Sequence, residues 1–211
     1  MGDGVVGTSN NVVADFYYQG VSMEEWDEWQ KVYTYGTFVM WPPEPARDVV
    51  NRLRQEYDPV SQSFCGAHIT LAQPFLRQPS SNEWDKLSEV VSGFESFEIR
   101  YGPINTFLPY PCIWYEIHPS ELVLAIRQTL HATGMFNLDL PHIDDFIPHT
   151  TITEGQSDLK VTEDLFRKLR DEISGGTFIC SEIALIVPDH HFHFGIQRRL
   201  PLRKWNTGKQ K

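Results

Sequence analysis

The chain has no hydrophobic run long enough to span a bilayer, so nothing in it predicts a membrane-spanning helix. Its start, MGDGVVGTSN, lacks the basic-then-apolar pattern of a secretory signal, and Val6 stands where an N-myristoylation site wants Ser or Thr. Cysteine is scarce and odd in number: Cys65, Cys112 and Cys180 do not make a disulfide framework. Buried free thiols in a reducing, cytoplasmic setting are expected instead. Positive charge is also in short supply. The net charge is −10 and the isoelectric point near 5.2, the wrong balance for a protein that grips long duplex nucleic acid through many phosphates. One basic cluster exists, Arg198, Arg199, Arg203 and Lys204, extended by Lys209 and Lys211, and it reads as a solvated tail. What remains is a globular composition, 41% hydrophobic and 13% aromatic over 211 residues, enough for one sizeable domain or two lobes sharing a core.

The string His-x-Thr occurs three times. In GAHITLAQPF it is His68-Ile69-Thr70, and in FIPHTTIT it is His149-Thr150-Thr151, each in a strand-like run with a proline close by. On a strand, residues two apart share a face, so each string offers one imidazole and one hydroxyl side by side. The third copy, His131-Ala132-Thr133, closes the run SELVLAIRQTLHATG, whose apolar residues recur at helical spacing before Gly134. Residues two apart on a helix do not face each other, and this copy is set aside. Cys65 lies three residues before His68, an odd offset that on a strand puts the two on opposite faces and removes a Cys–His nucleophile.

The order of elements is duplicated. Residues 1–35 form a polar N-terminal extension with a short helix in SMEEWDEWQKVY. A first half, about 36–101, reads strand (GTFVMW), helix (PARDVVNRLRQEY), strand with His68, helix (NEWDKLSEVV, with Ser80 and Glu83 as a capping box), strand (FEIRY). A second half, about 111–202, reads strand (CIWYEI), helix (SELVLAIRQTL), strand with His149, helix (TEDLFRKLRDEI), strand (FICSEIALIV), and a last strand HFHFGIQRRLPL. The two motif histidines lie 81 residues apart on equivalent elements. The predicted fold is α+β: duplicated β-α-β-α-β units spanning 36–205, two strand-rich lobes around a central groove, helices outside, and a basic tail at 206–211.

Paired His-x-Thr strands in a duplicated unit resemble the 2H phosphoesterase superfamily, which includes 2′-5′ RNA ligase-like proteins and cyclic nucleotide phosphodiesterases. The likeness covers about residues 36–202: FVMWPPEP as the opening strand and turn, HITLAQPF and FIPHTTIT as the motif strands, and IWYEIHPSEL as the step into the second helix. Many RNA-ligase-like members carry an Arg shortly after the second motif, whereas Thr153 is followed here by Glu154. The resemblance implies hydrolysis or transfer at a 2′,3′-cyclic or 2′,5′-linked phosphodiester, on a small nucleotide or an RNA end.

The residues themselves suit that chemistry without a metal or other cofactor. One neutral imidazole takes a proton from the attacking hydroxyl or water, and the other, protonated, donates to the departing oxygen. Thr70 and Thr151 donate to the non-bridging oxygens as charge builds there. Candidate stacking rings for a base are Phe75, Tyr115, Phe192 and Phe194, and Arg77 is a candidate phosphate contact. Two rival readings carry their own residues. A metal-dependent phosphohydrolase would use His142, Asp144 and Asp145 or the cluster His190, His191 and His193. A module that binds nucleotide or RNA ends would keep the fold without turnover. A monomer is expected.

Overall fold

The computed structural model describes residues 23–154 and 159–204; the first 22 residues and the basic tail lie outside them. After a one-turn helix α1 (Glu28–Lys31), the first half runs β1 (Thr37–Met40), α2 (Ala46–Tyr57), α3 (Pro59–Phe64), β2 (Ile69–Thr70), α4 (Ser81–Ser92) and β3 (Phe97–Phe107). The second runs β4 (Tyr110–His118), α5 (Ser120–His131), β5 (His149–Glu154), α6 (Leu159–Glu172), β6 (Gly176–Cys180), β7 (Glu182–Pro188) and β8 (Phe194–Pro201).

Two antiparallel four-stranded sheets result, ordered β2-β1-β7-β8 and β5-β4-β3-β6. The first three positions match: a motif strand at the edge, then the opening strand of the same half, then a strand lent by the other half. β3 belongs in sequence to the first half yet pairs with β4, and β7 belongs to the second yet pairs with β1. Each lobe is completed by its counterpart's chain, so the duplication is built into one shared core rather than two separable domains. Phe38, Ile69 and Leu71 from one sheet and Ile113, Ile117 and Ile152 from the other meet in that core, closed to solvent. Helix α4 packs on β8, and α6 on β3 and β4.

The local signals are honoured. Glu83 accepts from the Ser80 backbone N–H at 2.9 Å, completing the capping box of α4. Gly134, with φ 75°, follows α5 in the left-handed region that favours glycine. Two expectations are corrected. FICSEIALIV is not one strand: it breaks at Ser181 and serves both sheets as β6 and β7, a change of sheet that a continuous apolar run conceals. The last strand begins only at Phe194, because residues 189–193 form a turn. Asp189 accepts from the backbone N–H of His191 and His193, both at 2.9 Å, and Phe192 has φ 64°.

Candidate active site

The motif strands β2 and β5 are the edge strands of their sheets, and they lie side by side where the sheets meet. On β2, Ile69 and Leu71 are buried while His68 and Thr70 are half-buried on the opposite face; on β5, Thr150 and Ile152 are buried while His149 and Thr151 are half-buried. The alternation expected of a strand therefore sets each imidazole beside its hydroxyl.

Both histidines are held by the same device. His68 Nδ1 lies 2.8 Å from the Gly66 carbonyl and His149 Nδ1 lies 2.7 Å from the Ile147 carbonyl, in each case two residues back. A carbonyl only accepts, so Nδ1 carries the proton in both rings and Nε2 presents a lone pair. Burial pushes His68 down to about 4; the Gly66 bond opposes this, and the charges of Arg54 and His149 add to it. His149 is also lowered by burial, against the Ile147 bond. The charge of His149 is thus the smallest of the causes acting on His68.

A wall of aromatic rings stands around His149. Phe107 stacks on Trp114 with centroids 4.6 Å apart, and meets the His149 ring edge-on at 5.0 Å. Trp114, the cross-strand partner of Thr151, lies 5.6 Å from the same imidazole, and Phe146 lies 6.2 Å away. Phe146 in turn carries the Arg127 guanidinium 4.0 Å over its face.

The other sequence candidates lie elsewhere. Tyr115 is 1% exposed on the core face of β4, its hydroxyl donating to the Ser174 carbonyl, and Phe75 is 2% exposed between Phe38, Trp84 and Phe136. Rings sealed in the core have no free face for a base. Phe192 and Phe194 pack into a cluster with Trp26, Trp29 and Tyr33 of the N-terminal segment, which Trp26 Nε1 anchors to the His190 carbonyl at 3.0 Å. Arg77 is spent on Glu83, which it holds down at about 2.

The set-aside third copy is structural: His131 ends α5, and its Nε2 accepts from the Gln73 N–H at 3.0 Å. Among the described residues no three His, Cys, Asp or Glu side chains converge as a metal-ligand set. His142 pairs only with Asp145 on an exposed loop. The His190 and His191 rings lie tilted against each other in the turn before β8, and His193 Nδ1 lies 3.8 Å from Asp189. The metal reading is left without its ligands.

Cys65 corrects the parity argument. It caps α3 ahead of β2, so strand alternation does not reach it, and its Sγ lies 3.3 Å from His68 Nδ1. Burial pushes the thiol up to about 12, which leaves it protonated and unfit as a nucleophile.

A sequence profile described as the 2′-5′ RNA ligase superfamily matches residues 41–191. The chain belongs to that superfamily. Putative phosphoesterases from Bacillus anthracis and Bacillus thuringiensis are 29% and 28% identical over 132 residues, covering 61% of this chain and 74% of theirs. Among solved structures, Escherichia coli LigT complexed with 3′-AMP superposes with a TM-score of 0.53 at 16% identity, covering 79% of this chain and 96% of that one. LigT complexed with phosphate gives 0.53 at 15% identity, covering 81% and 98%. As a member of the 2′-5′ RNA ligase superfamily, with the α+β two-lobed fold, the protein is of the 2H phosphoesterase type. The matched span starts at Trp41, so the packed segment around Trp26, Trp29 and Tyr33 lies outside it. Sequence reasoning missed Phe107, Trp114 and Phe146. The signal available was pairing: Trp114 lies opposite Thr151 once the two strands are aligned.

Proposed function

We propose that this protein is a metal-independent phosphodiesterase acting on 2′,3′-cyclic or 2′,5′-linked phosphodiesters of small nucleotides or RNA ends. One observation carries the reading: two imidazoles on abutting edge strands, each with Nδ1 bound to a backbone carbonyl and Nε2 left to accept or deliver a proton. In hydrolysis, water adds to phosphorus as one imidazole takes its proton. The P–O ester bond breaks as the other imidazole protonates the departing sugar oxygen. Thr70 and Thr151 stand beside the imidazoles as donors to the non-bridging oxygens. Phe107, half-buried and backed by the stacked Trp114, supplies the stacking ring for the base, in place of the rings expected from sequence.

The Bacillus relatives named as phosphoesterases and the LigT complexes with 3′-AMP and phosphate support a small phosphate-bearing ligand. The acidic net charge of −10 argues against a long polyanion and so for a small nucleotide or a strand end. Three buried, unpaired thiols suit a reducing, cytoplasmic setting.

The test is a panel of 2′,3′-cyclic nucleotides, 2′,5′-linked dinucleotides and oligonucleotides with cyclic phosphate ends, assayed in excess chelator. Turnover is expected to survive chelation and to fall at least about a hundredfold in His68→Ala and in His149→Ala. Losses below tenfold in both folded variants would refute the mechanism. Tight binding of the same ligands without turnover would mark a binding module instead.

A further inference from the structure

Two arginines are buried in the protein, Arg54 on α2 and Arg127 on α5, at 3% and 2% exposure. These helices are the first of each half, so the two residues stand on matching elements of the duplication. Arg54 Nη1 donates to the Thr151 carbonyl and Nη2 to the Cys65 carbonyl, both at 3.0 Å, while Nε donates to Gln62 Oε1 at 2.9 Å. Arg127 Nη1 donates to the Leu71 carbonyl and Nη2 to the His142 carbonyl, both at 3.3 Å. The pattern is reciprocal. Each guanidinium reaches across to the backbone at the end of the other half's His-x-Thr, and with its second arm holds the segment leading into its own.

Burying a cation against neutral acceptors is costly, and burial lowers the pKa of both groups, Arg127 to about 10. What the guanidinium offers in return is a rigid fork that joins two separate stretches of chain, which a lysine ammonium cannot do. Asp58, buried at the α2–α3 corner, makes the complementary grip: Oδ2 accepts from the Glu154 N–H at 2.7 Å and Oδ1 from the Ser61 N–H at 3.1 Å.

We infer that Arg54 and Arg127 are a reciprocal pair of positioning residues that fix the separation and orientation of the two His-x-Thr strands, and through it the rate of the phosphodiester reaction. The inference rests on the function proposed above. Neither guanidinium is a catalytic residue; both act through the strands they hold. A displacement of about 1 Å at a reacting group costs on the order of a hundredfold in rate.

The experiment compares wild type, Arg54→Lys, Arg127→Lys, Arg54→Met and the same Arg54 changes in a His68→Ala background, on a 2′,3′-cyclic nucleotide. Arg54→Lys is expected to lower kcat about 10- to 100-fold with KM within about threefold. Arg127→Lys, with its longer bonds, should lower kcat less. In the His68→Ala background Arg54→Lys should cost clearly less than in wild type, because one of the two groups it positions is gone.

A pH readout separates charge from geometry. His68 faces Arg54 from α2, His149 from β5 and the Cys65 thiol at the end of α3, while Asp58 and Glu154 face the guanidinium. Arg54→Met should therefore move the acid limb of kcat/KM upward, and Arg54→Lys should leave it in place. If Arg54→Lys does not fold, Arg127→Lys is read by the same assay. An inactive wild type, or a fully active His68→Ala, overturns the hydrolase reading and the clamp with it. Normal kcat in the folded lysine variants of an active, histidine-dependent wild type overturns the clamp alone, as does an equal loss with and without His68.

Discussion

Acidity of the medium is the sharpest probe of the paired imidazoles. Turnover needs one ring neutral and one protonated, so kcat/KM follows the fraction of free protein in that mixed state and peaks between the two pKa values, whichever ring has which role. Two ordinary histidines would centre the peak near 6.5. Here burial holds His68 at about 4 and draws His149 below 6.5 as well, so the optimum of kcat/KM is expected clearly below 6.5. Above the upper pKa the rate falls tenfold per unit, so at pH 7.5 kcat/KM should be roughly tenfold or more below its maximum. The profile of kcat should lie at higher pH than that of kcat/KM, because a bound phosphodiester anion favours the charged form of both rings. Initial rates on a 2′,3′-cyclic nucleotide at concentrations well below KM, in constant ionic strength, read this directly. The substrate carries one negative charge that does not titrate across the range. A kcat/KM optimum at or above pH 7.5 would show that the imidazoles are not the depressed pair described, or are not the groups that transfer the protons.

Stability should fall over part of the same range. The folded pKa values of His68 and His131 lie near 4, below the unfolded 6.5, so their contribution is fully present above about 6.5 and is lost as the pH descends toward 4. With a discount of about half for partial exposure, the two cost together about 2 kcal/mol between pH 7.5 and 5. Glu154, whose carboxyl is raised by burial, takes up a proton on the same descent and offsets part of the loss, so urea melts are best run in Glu154→Gln; no change there would contradict the burial of these imidazoles. Phe107→Ala should raise KM for nucleotides about 5- to 100-fold while sparing a substrate with no base, and an equal effect on both would remove the stacking platform. Gly175→Ala should destabilise by roughly 2–4 kcal/mol in a thermal melt, since its Cβ would stand 1.9 Å from the Tyr101 carbonyl oxygen; an unchanged melt would refute the close approach of β3 and β6.

The parts of the fold written in short-range pattern were legible. Period-2 alternation around His68 and His149, the capping box at Ser80, and the helical spacing that disqualified His131 all depend on neighbours a few residues away. What was not legible depends on partners far along the chain. Tyr115 and Trp114 are adjacent aromatic residues on one strand, and nothing local says which of them faces the groove; pairing of Trp114 with Thr151 decides it. Phe192 looked like one member of an alternating strand, but Asp189 turns the chain beneath it, and the N-terminal aromatic residues claim its ring. Nothing in the helical spacing of α2 and α5 singles out Arg54 or Arg127. Their burial follows from what their guanidinium groups hold on another part of the chain, which a helix pattern does not encode.

Placing the motifs on edge strands explains the arginines. A strand inside a sheet gives all its backbone groups to its neighbours; an edge strand leaves one row free, which is both an opening for substrate and an aggregation hazard. β2 limits the hazard by being two residues long. β5 has six residues, and part of its free row is taken by the α2–α3 corner: the Thr151 carbonyl by Arg54 and the Glu154 N–H by Asp58, one cation for an acceptor and one anion for a donor. The groups that blunt the edge are thus the same ones that tie it to the other motif. Under the proposed function the open edges give a phosphodiester access to the site, and the charged corner lets those edges stay rigid without a further strand.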